Sequence, residues 1–196
     1  IQSIVHTARD YGFHVAAHAH GAEGMKRAIL AGVHTIEHGT YADDQVFLMM
    51  KQRGTYLVPT LIAGAYVSEK SKEPGWFPAV IQPKAARVGA QISDTFAKAV
   101  KAGVPYAFGT DSGVSPHGQN AREFALMVQA GVTPMQALQA ATVVPAKILG
   151  VSADQGTLEV GKRADIVAVP GNPLDDIRVT ERVAFVMKDG VVYASP

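Results

Sequence analysis

The chain has 196 residues, of which 47% are hydrophobic and 18% charged, with a net charge of +1. This describes a globular protein of one or two domains, excludes a disordered segment, and gives no charge run that calls for nucleic acid or a membrane surface. The absence of cysteine removes disulfides, thiolate metal sites and a Cys nucleophile, and leaves the compartment open between cytoplasm, periplasm and secretion.

In chain order, Ile1, Ile4, Val5 and Ala8 fall at helical spacing and predict a helix over 2–11. That helix opens without a capping residue, which predicts that residue 1 is an internal position of a longer protein. A strand follows over 14–18, a helix over 24–31, a strand over 35–38, a helix over 43–53 and a strand over 56–60. Residues 61–80, with Tyr66, Trp76 and Phe77, read as a long loop serving as a substrate lid or an oligomer contact. A helix over 82–102 and a strand over 105–110 complete the series. Helices end at Gly12, Gly32, Gly54 and Gly103, as left-handed caps require.

The strands are short and apolar without clean alternation, as in parallel strands covered on both faces. Repeated strand–helix units imply right-handed parallel crossovers, and four of them are half of an eight-stranded (β/α) barrel. Helices follow over 120–130 and 133–149, the second capped by Thr133 with Pro134 at the first helical position and Gln136 in capping-box register. Beyond Gly150 the pattern changes to short apolar strands, with a hairpin turn at Lys188-Asp189-Gly190. The expected fold is therefore α/β: the second half of a (β/α)8 TIM-type barrel over residues 1–150, then a small β-sandwich segment over 151–196.

The chemistry concentrates at strand ends. His18, His38, Thr60 and Asp111 all end predicted strands, the end at which barrels of this kind place their active sites. Two His on successive strands suit a divalent metal, although each could be a buried structural histidine. His20 shares a face with His18 and belongs to the same site, as metal or substrate ligand. Asp111 reads either as a helix N-cap or as a general acid/base acting on a metal-activated water. His117, on the following loop, is a candidate substrate contact, as is Tyr66 in the loop before. His6, His14 and His34 read as structural. Glu37 is placed on the opposite strand face, in the helix layer, and Met49, Met50, Met127 and Met135 in the core. No Walker loop, GxGxxG or GxSxG is present.

HAHG (18–21), TIEHGTYADD (35–44), YAFGTDSG (106–113), the run 115–142 and GTLEVGKRADIVAV (156–169) resemble the amidohydrolase superfamily. The branch is the imidazolonepropionase-like one that holds Xaa-Pro and Xaa-Arg/Lys dipeptidases, and the match spans the C-terminal half of the family's length. The resemblance implies a zinc-dependent hydrolase, with one or two ions, acting on dipeptides or N-acyl amino acids. His18 then takes the strand-five ligand position, His38 the strand-six position, and Asp111 the strand-eight aspartate that ligates metal and shuttles a proton. His20 takes a substrate-binding position. The family's strand-one HxH and strand-four Lys would lie upstream, on the N-terminal half of the same protein, as a companion chain or as an omitted portion. The resemblance also implies a homo-oligomer. A cyclic-amide hydrolase or deaminase is the alternative within the superfamily, and a non-catalytic half-barrel assembly module the alternative outside it.

Overall fold

The computed structural model describes residues 1–194; Ser195 and Pro196, the end of the predicted β segment, lie outside the described residues. The chain divides into two compact units, Ile1–His117 and Gly118–Pro196.

The first unit alternates α1 (Gln2–Asp10), β1 (Ala16–Gly21), α2 (Ala22–Ala31), β2 (Thr35–Tyr41), α3 (Asp44–Arg53) and β3 (Tyr56–Val58). The strands form one parallel sheet in the order β1-β2-β3. The expected capping glycines all adopt positive φ, at 72° (Gly12), 93° (Gly32), 68° (Gly54) and 72° (Gly103). The Asp43 side chain caps α3 by accepting from the Val46 N–H at 2.8 Å.

Strand boundaries differ from the sequence reading for local reasons. The Val15 N–H donates to His34 Nδ1 at 3.1 Å, so the ladder begins at Ala16. It then runs past His18 to Gly21, with a register shift after Ala19. The strand expected over 105–110 is reduced to one parallel bridge, Leu57 to Tyr106, made by Leu57 N–H to Pro105 O and Ala107 N–H to Leu57 O. Its neighbour β3 is three residues long and is followed by Pro59, which has no N–H to extend a ladder.

The first half of the predicted loop is a helix, α4 (Leu61–Lys70). Its first turn, Leu61, Ile62, Ala63 and Gly64, is buried throughout, so no polar face marked it in the sequence. It packs against the long α5 (Gln82–Lys101) at close range. A Cβ on Gly89 would lie 2.7 Å from the Gly64 carbonyl oxygen and 2.8 Å from Ser68 Cβ. The core of this unit is Met25, Ile29, Ile36, Val46, Met50, Leu57, Leu61, Ile62, Ile92 and Phe96. Burying each of these large apolar side chains is worth about 1.5–3 kcal/mol.

The second unit holds α6 (Arg122–Gln129), α7 (Pro134–Ala141), α8 (Val143–Ile148), β4 (Ile166–Ala168), a 3-10 turn (Ile177–Glu181), β5 (Phe185–Lys188) and β6 (Val191–Ala194). The helix expected over 133–149 is two helices, parted at Thr142 (φ −128°, ψ −79°). Pro145 explains the break: in a continuous helix its ring would clash with the Ala141 carbonyl and one hydrogen bond would be lost. The capping box is present, with Thr133 N–H donating to Gln136 Oε1 at 2.8 Å and Gln136 N–H to Thr133 Oγ1 at 3.2 Å. The described strands form one antiparallel sheet, β4-β5-β6. The β5–β6 hairpin turns at Asp189 (φ 49°) and Gly190 (φ 77°), both left-handed as a type I′ turn needs. Met50 and Met127 are buried as expected, whereas Met135, beside Pro134 at the start of α7, is 47% exposed.

Two glycines in helices should respond oppositely to substitution. Gly89→Val overpacks the α4–α5 contact and should destabilise by about 1–3 kcal/mol. Gly24→Ala on α2, where an added Cβ meets nothing within 4 Å, should stabilise by roughly 0.4–1 kcal/mol. Urea unfolding midpoints of the two variants check both signs.

Candidate metal centre

In the β1–β2 ladder the register partners are His18 with Glu37, and Ala19 with His38. Partners on neighbouring strands share a face, so a regular ladder would turn His38 away from His18. The backbone prevents this. His38 has φ 72° and Gly39 φ 63°, both left-handed. The turn brings His38 Nε2 to 2.9 Å from His18 Nδ1, with the ring centroids 4.5 Å apart. The His20 ring lies 4.7 Å from His18 and 5.0 Å from His38.

Two threonines fix the rings from behind. Thr60 Oγ1 lies 2.7 Å from His38 Nδ1, and Thr40 Oγ1 lies 2.8 Å from His20 Nδ1. Thr60 itself has φ 51° and Asp111 φ 50°. Non-glycine residues at positive φ cost of order 1–3 kcal/mol each and collect at functional sites. Among the described residues there are four, three of them here and the fourth, Asp189, in the hairpin turn.

His18, His20, His38 and Asp111 line one cavity, walled on the apolar side by Val67, Ile92 and neighbours from α4 and α5. Two other candidates stand elsewhere. Tyr66 is half-buried on α4 with the Lys70 ammonium 5.5 Å from its ring centre, and His117 is an exposed loop residue; neither lines this cavity. Of the histidines read as structural, His34 accepts from the backbone of Val15, and His14 packs edge-on against it.

The electrostatics favour neutral imidazoles. Burial, then the neighbouring His18 and His20, lower the His38 pKa to about 4, against the opposing pull of Asp111. Burial and His18 also lower His20. Glu37 corrects the sequence reading. Burial raises its pKa and nearby Asp111 raises it further, while a hydrogen bond from Thr35 and the field of His18 oppose. Its register pairing with His18 puts it on that histidine's strand face, although it does not line the cavity.

Neutral imidazoles and a carboxylate are donors that zinc and related divalent ions accept. Among the described residues no three His, Asp or Glu side chains converge as a complete metal cluster. What this chain supplies is a histidine pair with Asp111 on the same cavity. Two nitrogens on one tetrahedral ion are roughly 3.3 Å apart, so the observed 2.9 Å needs only a small opening. The donor set fits such an ion. Thr60 was placed at the active-site end by its strand-end position but given no role, and Thr40 escaped the sequence reading although its two-residue spacing from His38 was visible.

Residues 1–193 match the amidohydrolase family. The chain belongs to it. A solved structure of a Xaa-Pro dipeptidase with bound methionine in the active site is 54% identical, with a TM-score of 0.96 over 99% of this chain and 48% of that one. Ochratoxinase of Aspergillus niger is 34% identical over all of this chain and 41% of its own length. Imidazolonepropionase of Symbiobacterium thermophilum is 28% identical over 84% of this chain and 35% of its own. These relatives bear out the imidazolonepropionase-like branch expected from the motifs. The chain spans about half, or less, of the length of each.

In metal-free protein the His38 ring should titrate near pH 4 by NMR, below its usual 6.5. Because the folded pKa lies below the unfolded one, His38 opposes folding increasingly as pH falls from 6.5 toward 4. Its neutral form leaves stability whole above that window. Thr60→Val should move this midpoint, and a thermal melt series across the window checks the stability arm.

Proposed function

We propose that this chain supplies half of the active site of a metal-dependent hydrolase that cleaves the amide bond of dipeptides or N-acyl amino acids. The observation that carries the reading is the 2.9 Å approach of His38 to His18, in one cavity with His20 and Asp111. The substrate class is supported by similarity to the Xaa-Pro dipeptidase structure and to ochratoxinase.

In this reading residues 1–150 are the second half of a (β/α)8 barrel. The remaining ligands come from an N-terminal half, as companion chain or as another portion of the same polypeptide, and the whole is a homo-oligomer. His18, His38 and Asp111 hold zinc, one ion or two. The ion when bound supplies a Lewis acid for the scissile carbonyl and brings the pKa of water down to about 7.

The protein residues perform the rest. Asp111 accepts a proton from the attacking water and delivers it to the leaving nitrogen. His20, held by Thr40, presents its remaining nitrogen to the cavity and can donate to the substrate carbonyl. The apolar wall of Val67, Val88 and Ile92 excludes water from the reacting bond and accepts an apolar side chain. The imidazolonepropionase relative supports a second reading, opening of a cyclic amide with the same residues.

The whole protein should contain stoichiometric zinc by elemental analysis, lost in His18→Ala and in His38→Ala. Metal-free protein, or intact protein inert towards every dipeptide, acyl-amino acid and cyclic amide tested, would sink the hydrolase and leave an assembly module. Asp111→Asn should lower kcat about 10²–10⁴-fold on whichever substrate is turned over.

A further inference from the structure

A second hollow lies at the opposite ends of the same two strands. His14 precedes β1 and His34 precedes β2, whereas the candidate ligands follow later in each strand. The hollow is about 240 Å³ and is lined by Val5, Arg9, Phe13, His14 and His34, with glycine backbone between them. None of its lining residues is acidic.

Its donors come from three separate segments. The His34 ring accepts the Val15 N–H at Nδ1 (3.1 Å), so its neutral form carries the proton on Nε2 and is a donor there. His14 packs edge-on against it, ring centres 4.3 Å apart. From α1, the Arg9 guanidinium lies over Gly32: Nη2 is 3.7 Å from the position a Gly32 Cβ would take. Among the described residues Arg9 forms no ion pair. A guanidinium, charged at every physiological pH, disfavours a metal cation at a site that two imidazoles could otherwise suggest. An anion meets the opposite condition: a permanent positive charge, an N–H donor and an apolar floor.

We propose that this hollow binds a tetrahedral oxyanion of the phosphate type, held by Arg9, His34 and His14. Three donor-bearing side chains lining one hollow from different segments suit a tetrahedral anion better than a planar carboxylate, which one Arg fork satisfies alone. Bound there, the anion would tie α1 to the starts of β1 and β2. Burial, His14 and Arg9 all weaken the protonated form of His34, consistent with a hollow short of negative charge.

The test titrates inorganic phosphate into the whole protein carrying His18→Ala, which disables the metal centre as a competing phosphate site. Ring resonances of His14 and His34 report occupancy, and ionic strength is held constant with NaCl. The expected result is saturable shifts at both rings, weakened at least tenfold by Arg9→Gln, an exposed position whose change leaves the fold and, in the otherwise unaltered protein, hydrolysis intact. Absence of saturation, equal binding by the Arg9→Gln variant, or acetate binding as tightly as phosphate would each overturn the proposal. Melting-temperature gains with phosphate that vanish on Arg9→Gln would support it independently.

Discussion

The candidate centre depends on one backbone constraint, the left-handed conformation of His38. By register it is Glu37, and not His38, that stands beside His18. A φ of 72° at residue 38 and 63° at Gly39 overrides the alternation and delivers the ring to its partner. Thr60 and Asp111 repeat the device at neighbouring positions with φ of 51° and 50°. Such conformations persist only where the surroundings over-determine them. Here Ile36 and Leu57 are fully buried on either side, and a Cβ on Gly39 would lie 2.5 Å from Leu57 Cδ1. The strain at the ligand positions is therefore offset by ordinary apolar burial at Ile36, two residues before His38, and at Leu57 on the next strand.

This geometry shows what the sequence could and could not reveal. HAHG, IEHG and GTDSG located the ligand candidates because strand–polar–glycine is a pattern of residue types. The facing of Glu37 is not legible from alternation, because alternation breaks at His38 and positive φ at a histidine carries no signature in composition. Caps were legible, since Thr133, Pro134 and Gln136 act through local bonds alone. Helix α4 was not legible, because an apolar helix buried around its first turn has no polar face to betray its period. The break at Thr142 was written in Pro145, but a proline can also sit in the first turn of a helix. Both readings predict helix on either side of it.

The two ends of β1 and β2 have opposite electrostatic character. At one end His20 and His38, both held below the usual imidazole range by burial, stand with Glu37 and Asp111, whose charges repel one another. Two mutually repelling carboxylates are a demand that a divalent cation would meet. At the other end Arg9 joins two imidazoles with no carboxylate in the lining. Strand dipoles in a sheet contribute little, so the difference arises from side chains. A pair of strands only six and seven residues long thus separates two sites with complementary demands.

Strand β1 carries His18 and His20, yet among the described residues it is paired on one side only, to β2. Half of the candidate site's histidines and carboxylates (His18, His20, His38 and Asp111) therefore hang on a single hydrogen-bond ladder. Fraying of that outermost strand would spoil ligand spacing long before the buried layer around Ile36 and Leu57 felt it. The spacing of His18 and His20 from His38 therefore depends on whatever holds the outer edge of β1 in place.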